Sequence, residues 1–166
     1  MPQKEIFVRV DRCMGCHSCE LACAVEHSAG KSLFTAITEE PAPRKRLFVE
    51  PVKSDSVPIL CRQCEDAPCM HACICGAISL TKEGVVLTDS DKCIGCWTCV
   101  MVCPYGVIGR NREGHKAYRC DRCQDRDVPA CVESCPTRAL IFQSVEGFSK
   151  DVRRAASSEL VAGQGG

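Results

Sequence analysis

Aromatic side chains are scarce in this 166-residue chain, which has five Phe, two Tyr and one Trp. With only a modest share of other large apolar residues, burial alone leaves a fold of this size marginal. Long hydrophobic runs are missing too. The best stretch, residues 100–108, is broken by Cys103 and Pro104 and falls well short of the ~20 residues a membrane-spanning helix needs, so no membrane contact is expected. Neither sign of charge prevails: 21 Lys plus Arg meet 21 Asp plus Glu, for a formal net charge of zero. That balance argues against nucleic acid as a partner. The opening stretch MPQKEIFVRVDRC has neither the apolar segment of a secretory signal nor a twin-arginine signal, so a cytoplasmic location is expected. A dinucleotide fingerprint, a phosphate-cradling glycine loop and a nucleophile–base pair are also lacking, and no catalytic residue is expected.

Cysteine is what the chain has in excess, with 17 residues. Sixteen fall into four quartets. The first is Cys13, Cys16, Cys19 and Cys23, and the third is Cys93, Cys96, Cys99 and Cys103; both follow C-x2-C-x2-C-x3-C. The second, Cys61, Cys64, Cys69 and Cys73, widens the middle gap to four residues, and the fourth, Cys120, Cys123, Cys131 and Cys135, widens it to seven. Every quartet opens with C-x2-C and closes with C-x3-C, the mark of an internal repeat. An odd total and such regular spacing argue against a disulfide scaffold.

The flanks repeat as well. IFVRVD before Cys13 and GVVLTD before Cys93 read as strands that deliver the chain to a cysteine loop. GAISL, YGVIG and RALIF, after Cys73, Cys103 and Cys135, read as short strands leading away. The closing C-x3-C pairs suit one or two helical turns, which would put both cysteines on one face. Residues 28–46 interrupt the repeat as an insertion whose Pro and Arg/Lys content predicts an exposed loop. Residues 143–166 form a tail in which 150–161 can make a short helix and the last five residues are expected to be disordered.

Zinc and iron both accept thiolates, and spacing decides between them. A zinc ribbon closes one tetrahedron with two local C-x2-C pairs. Here three closely spaced cysteines are followed by a fourth on a helical turn, and quartets three and four continue into Pro104 and Pro136. That is the two-cluster ferredoxin pattern, in which the fourth cysteine ligates the other 4Fe-4S cluster. On this reading Cys93, Cys96 and Cys99 wrap one cubane and Cys103 reaches a second.

The four quartets, together with GAI, DKCIGC and CPTRAL around them, resemble the four-cluster ferredoxin-like electron-transfer subunits of anaerobic oxidoreductases, over about residues 5–142. The resemblance implies an α+β fold of two pseudo-twofold dicluster modules, one nested in the other. The outer module takes residues 1–27 and 110–142, the inner one residues 47–109. It further implies four 4Fe-4S clusters: Cys13, Cys16, Cys19 with Cys135; Cys61, Cys64, Cys69 with Cys103; Cys93, Cys96, Cys99 with Cys73; and Cys120, Cys123, Cys131 with Cys23. The implied role is electron transfer within a soluble complex. The implied partner is a tungsten or molybdenum aldehyde oxidoreductase with a flavin subunit that reduces NAD. Carbon monoxide dehydrogenase, formate dehydrogenase or hydrogenase are the alternatives. A scaffold role, with the tail docking onto a second copy to build an oligomer or filament, is a further alternative.

The chain departs from the pattern at Ala24 and Ile74, where proline would follow a closing cysteine, and at Cys75, the seventeenth cysteine, expected as a small buried thiol. His17 and His71 lie inside quartets that already have four sulfurs, which makes them spacers or hydrogen-bond donors rather than ligands. His27 and His115 fit no pattern. Trp97 can shield its cluster or simply pack. The basic stretch 110–126, with Arg110, Arg112, Lys116, Arg119, Arg122 and Arg126, reads either as a solvated face or as a docking patch for an acidic partner.

Overall fold

The computed structural model describes residues 4–111 and 113–162. Arg112 and residues 163–166 of the expected disordered end lie outside them. The chain is a small mixed helix–strand fold built on four antiparallel two-stranded sheets. β1 (Lys4–Val8) pairs with β8 (Leu140–Ser144), from Lys4 opposite Ser144 to Val8 opposite Leu140. β2 (Leu47–Val52) pairs with β3 (Asp55–Leu60), β4 (Ile78–Leu80) with β5 (Val86–Thr88), and β6 (Gly109–Asn111) with β7 (Lys116–Tyr118). Isolated hairpins of this kind are marginal in water. Helices add little on their own, because α2 (Leu33–Thr38), α3 (Pro68–His71), α4 (Thr98–Val102) and α5 (Ala130–Glu133) have four to six residues each. Only α1 (Ser18–Glu26) and α6 (Val145–Ala162) are longer.

Two separate cores hold these pieces, and cysteines line both. Ile6, Leu47, Val49, Leu60 and Leu140 pack around Cys19, Cys23 and Cys131. Ala67, Ala77, Ile78, Val86, Ile108 and Ala117 pack around Cys69, Cys93 and Cys99. Leu47, Val49 and Leu60 of the β2–β3 hairpin thus share a core with Cys19, Cys23 and Cys131, and Ala117 of β7 shares one with Cys69, Cys93 and Cys99.

The strands expected from GAISL, GVVLTD and RALIF form, whereas YGVIG supplies only the first residue of β6. The helical expectation for the closing pairs holds in α1, which carries both Cys19 and Cys23. Elsewhere the helix ends before the last cysteine, and Cys103 is extended at φ −72°, ψ 114°. Pro104 enforces this, since the residue before a proline is pushed out of the helical region. The 28–46 insertion contains α2, and Glu39 closes it by accepting the backbone N–H of Ala29 and Gly30. α6 starts five residues before the expected helix. Ser144 caps it by accepting the Gly147 N–H, and Phe148 stacks on Phe7 with ring centroids 4.2 Å apart. From residue 150 onward every described residue of α6 is exposed.

The repeat reappears in the backbone. Gly15, Gln63, Gly95 and Arg122, each just before the second cysteine of its quartet, all have φ between 48° and 71° in the left-handed region. Gly76, Gly106 and Arg138, each three residues after a closing cysteine, do the same. Side chains bear a cost there, and glycine avoids it. At Gly95 a Cβ would also collide with the His115 carbonyl oxygen. Gly95→Ala is therefore expected to destabilise the cluster-loaded protein by about 2–3 kcal/mol, read as a lower midpoint in anaerobic thermal unfolding.

Candidate metal centres

The C-x2-C loops turn cysteine sulfurs inward because a left-handed residue reverses the chain between them. In quartets one and three a second left-handed residue, His17 or Trp97, then starts the helix that carries Cys19 or Cys99. The result is three thiol-lined cavities and a further group of neighbouring cysteines. Cys13, Cys16, Cys19 and Cys135 line one cavity with Val49, Pro58 and Leu140. Cys61, Cys64, Cys69 and Cys103 line a second with Ala67, Pro104 and Ile108. Cys73, Cys93, Cys96 and Cys99 line a third with Ile78 and Trp97. Cys120, Cys123, Cys131 and Cys23 lie close enough to interact electrostatically. In three cavities the closing cysteine thus comes from a different quartet than the other three.

None of the seventeen cysteines is in a disulfide. Burial pushes the Cys19, Cys99 and Cys123 thiols up to about 11, and pushes Cys120 and Cys131 strongly up as well. A bare thiolate is disfavoured there, so a cationic centre is what such a donor set fits. The donors aimed at sulfur agree. After Cys73 and after Cys135 the left-handed residue returns the next amide to the cysteine, so that Ala77 N–H and Ala139 N–H each donate to Sγ at 3.2 Å. Ala117 N–H donates to Cys93 Sγ at 3.5 Å and Arg46 N–H to Cys23 Sγ at 3.2 Å. Such bonds stabilise negatively charged sulfur. At the exposed Cys16 and Cys96, hydrogen bonds from Ser18 and Thr98 draw the thiols down.

Cys75 is not the buried thiol expected. It is half-buried, it lines the third cavity, and its sulfur lies 3.7 Å from that of Cys73. His17 and His71 bond to Glu20 and Asp66. Trp97 lines the third cavity with Arg110 stacked over it, 4.7 Å from the ring centroid. Within the basic stretch Arg110 and Arg126 are exposed, as a surface reading expects, but Arg119 and Arg122 are 4% and 9% exposed and so belong to no surface, and Arg112 lies outside the described residues. Arg122 ties Glu5 of β1 to the Glu83 carbonyl, and Arg126 pairs with Glu26 and Glu133.

His27 was unmarked in the sequence, yet it braces the fourth site. Its Nδ1 donates to the Cys23 carbonyl at 2.7 Å and lies 3.7 Å from Cys23 Sγ, while Nε2 donates to Asp121 at 3.2 Å. Both ring nitrogens face acceptors, which requires the imidazolium. Its place four residues after Cys23, one helical turn on, is the only signal the sequence gave. Burial opposes the charge, but Asp121 and Cys23 outweigh it and raise His27 to about 9. Because the folded value lies above the unfolded one, this stabilisation is full below pH 6.5 and is lost as pH rises through about 9. The holoprotein should therefore lose about 2 kcal/mol of stability between pH 7 and pH 10 that His27→Gln does not lose, measured by anaerobic denaturant titration at the two pH values.

Comparison with known proteins follows the same line. The family described as a 4Fe-4S dicluster domain matches residues 52–145, and a 4Fe-4S binding domain matches residues 10–26. An iron-sulfur protein of Rhodospirillum rubrum is 39% identical over 171 residues, spanning 93% of this chain and 90% of its own. The electron transport protein HydN of Escherichia coli K12 is 39% identical over 90% of this chain and 94% of its own. The probable anaerobic dimethyl sulfoxide reductase chain YnfG of that strain is 37% identical over 87% and 75%. The chain belongs to the family of 4Fe-4S ferredoxin-like electron-transfer subunits. Its function is electron transfer through 4Fe-4S clusters. Among the described residues, no helix is long and apolar enough to cross a membrane.

Proposed function

We propose that the chain holds four 4Fe-4S clusters in two nested dicluster modules and relays electrons between a catalytic subunit and a second redox partner. When bound, each cluster accepts and releases one electron at a time. The observation that carries the reading is the exchange of closing cysteines: Cys135 lines the cavity of Cys13, Cys16 and Cys19, Cys103 that of Cys61, Cys64 and Cys69, and Cys73 that of Cys93, Cys96 and Cys99. The closeness of Cys23 to Cys120 and Cys131 supports the fourth set. The protein's part is to hold sulfurs inward, surround them with apolar walls and aim N–H donors at them. Cys73 rather than Cys75 is the proposed ligand, because Cys73 and Cys135 share one turn and one amide-to-sulfur bond.

For the catalytic partner we propose a tungsten or molybdenum aldehyde oxidoreductase with a flavin NAD-reducing subunit, and after it carbon monoxide dehydrogenase, formate dehydrogenase or hydrogenase. The resemblance of the whole four-quartet pattern supports this class, and the match to a dimethyl sulfoxide reductase chain supports a multisubunit oxidoreductase. Metal analysis of the co-purifying large chain tests this: tungsten or molybdenum is expected, nickel would move the assignment to carbon monoxide dehydrogenase or hydrogenase, and activity on aldehyde rather than formate separates the first choice from formate dehydrogenase.

Anaerobic protein should contain about sixteen irons, four for each cluster. Cys103→Ser is expected to abolish the same paramagnetic signal as Cys64→Ser, while Cys96→Ser abolishes a different one. If Cys103→Ser instead removes the Cys96 signal, each quartet serves itself and the exchange is wrong.

A further inference from the structure

Among the described residues, Arg119 is the most buried charged residue, at 4% exposure. Its Nη1 donates to Cys69 Sγ at 3.0 Å and its Nη2 to Cys61 Sγ at 2.8 Å. Its Nε is buried without a hydrogen-bond partner, and among the described residues it has no ion pair with a carboxylate. Asp121, two residues on, is engaged by His27 and Arg46. The guanidinium therefore has only cysteine sulfur to balance its charge.

The other three sites are built differently. Cys135, Cys73, Cys93 and Cys23 receive neutral backbone N–H groups. The cations near them share a carboxylate or reach solvent. His27 and Arg46, near Cys23, have Asp121 as their common counter-ion and Arg46 is half-exposed, and Lys116, near Cys93, is half-exposed and bound to a carbonyl. A charge in low dielectric acts far more strongly than one screened by water, and a charge-assisted hydrogen bond is about twice as strong as a neutral one. A reduced cluster carries one more negative charge than an oxidised one, so a buried cation on its ligands favours the reduced state.

Resting on the four-cluster reading above, we infer that Arg119 makes the site of Cys61, Cys64, Cys69 and Cys103 the first of the four to be reduced, an electron well within the relay. One electron arrives from the reductant, the partner redox centre in the complex or dithionite in the test. The site gains one negative charge, no bond forms or breaks, and the guanidinium keeps its proton. Arg119 is thus a positioning residue that acts through sulfur. Gln63 fixes its location by donating to the Cys120 carbonyl at 3.0 Å, which pins the strand end carrying Arg119 against the second quartet.

Potentiometric titration of anaerobic holoprotein followed by electron paramagnetic resonance tests this. The highest-potential signal should be the one abolished by Cys64→Ser. In Arg119→Gln that potential should fall by at least tenfold in the reduction equilibrium, 59 mV for one electron, with the other three moving far less. Arg119→Lys, which keeps the charge, should restore most of it. An unmoved potential, an equal drop in all four, or a lysine variant as low as glutamine overturns the inference. Should Arg119→Gln lose its cluster, the unaltered protein decides. With 15N-labelled arginine, the first signal to appear on reduction should show nitrogen coupling in pulsed spectra, and its absence there overturns the inference. An iron content far from sixteen would instead overturn the four-cluster reading.

Discussion

A thiolate walled in by apolar side chains survives only beside a cation, and this constraint organises the molecule. The chain has too few large apolar residues for an ordinary core, and its two small cores are built around the cysteines themselves. Strands of three to six residues, single-turn helices and the nine-residue α1 converge on these sulfurs. Ligation would supply cross-links that burial cannot, so the fold is expected to depend on metal binding.

The same constraint explains the unusual backbone. Left-handed residues recur at equivalent places in the quartets because a C-x2-C loop has to fold back on itself to face both sulfurs inward. Where glycine occupies the position the turn is unstrained; Gln63, Arg122 and Arg138 accept the cost and use their positions otherwise. Gln63 and Arg122 tie quartets two and four to neighbouring segments, through the Cys120 carbonyl and the Val86 amide in one case and Glu5 and Glu83 in the other. Arg119 adds the charged contact to Cys61 and Cys69. Polar side chains thus tie these sites to one another, and at Arg119 the side chain's charge also acts on the sulfurs.

Local regularity made much of this legible in the sequence. Fixed cysteine spacing marked the quartets, and β-branched runs beside them marked β1, β4, β5 and β8. What stayed hidden depends on contacts between distant residues. His27 gains meaning only when Asp121 comes within reach, 94 positions away. A basic stretch looks like a surface until Arg119 is seen inside the second site. The packing of Leu47, Val49 and Leu60 around Cys19, Cys23 and Cys131 could not be read from their own segment. Nor could α2 be read within a loop rich in proline and basic residues.

Anomalous diffraction at the iron edge, from crystals of anaerobically purified protein, tests the central claim most directly. The account predicts four separate peaks, with Cys135 beside Cys13, Cys103 beside Cys61, Cys73 beside Cys93 and Cys23 beside Cys120. A peak enclosed by Cys93, Cys96, Cys99 and Cys103 together, or the absence of iron from these cavities, would contradict it.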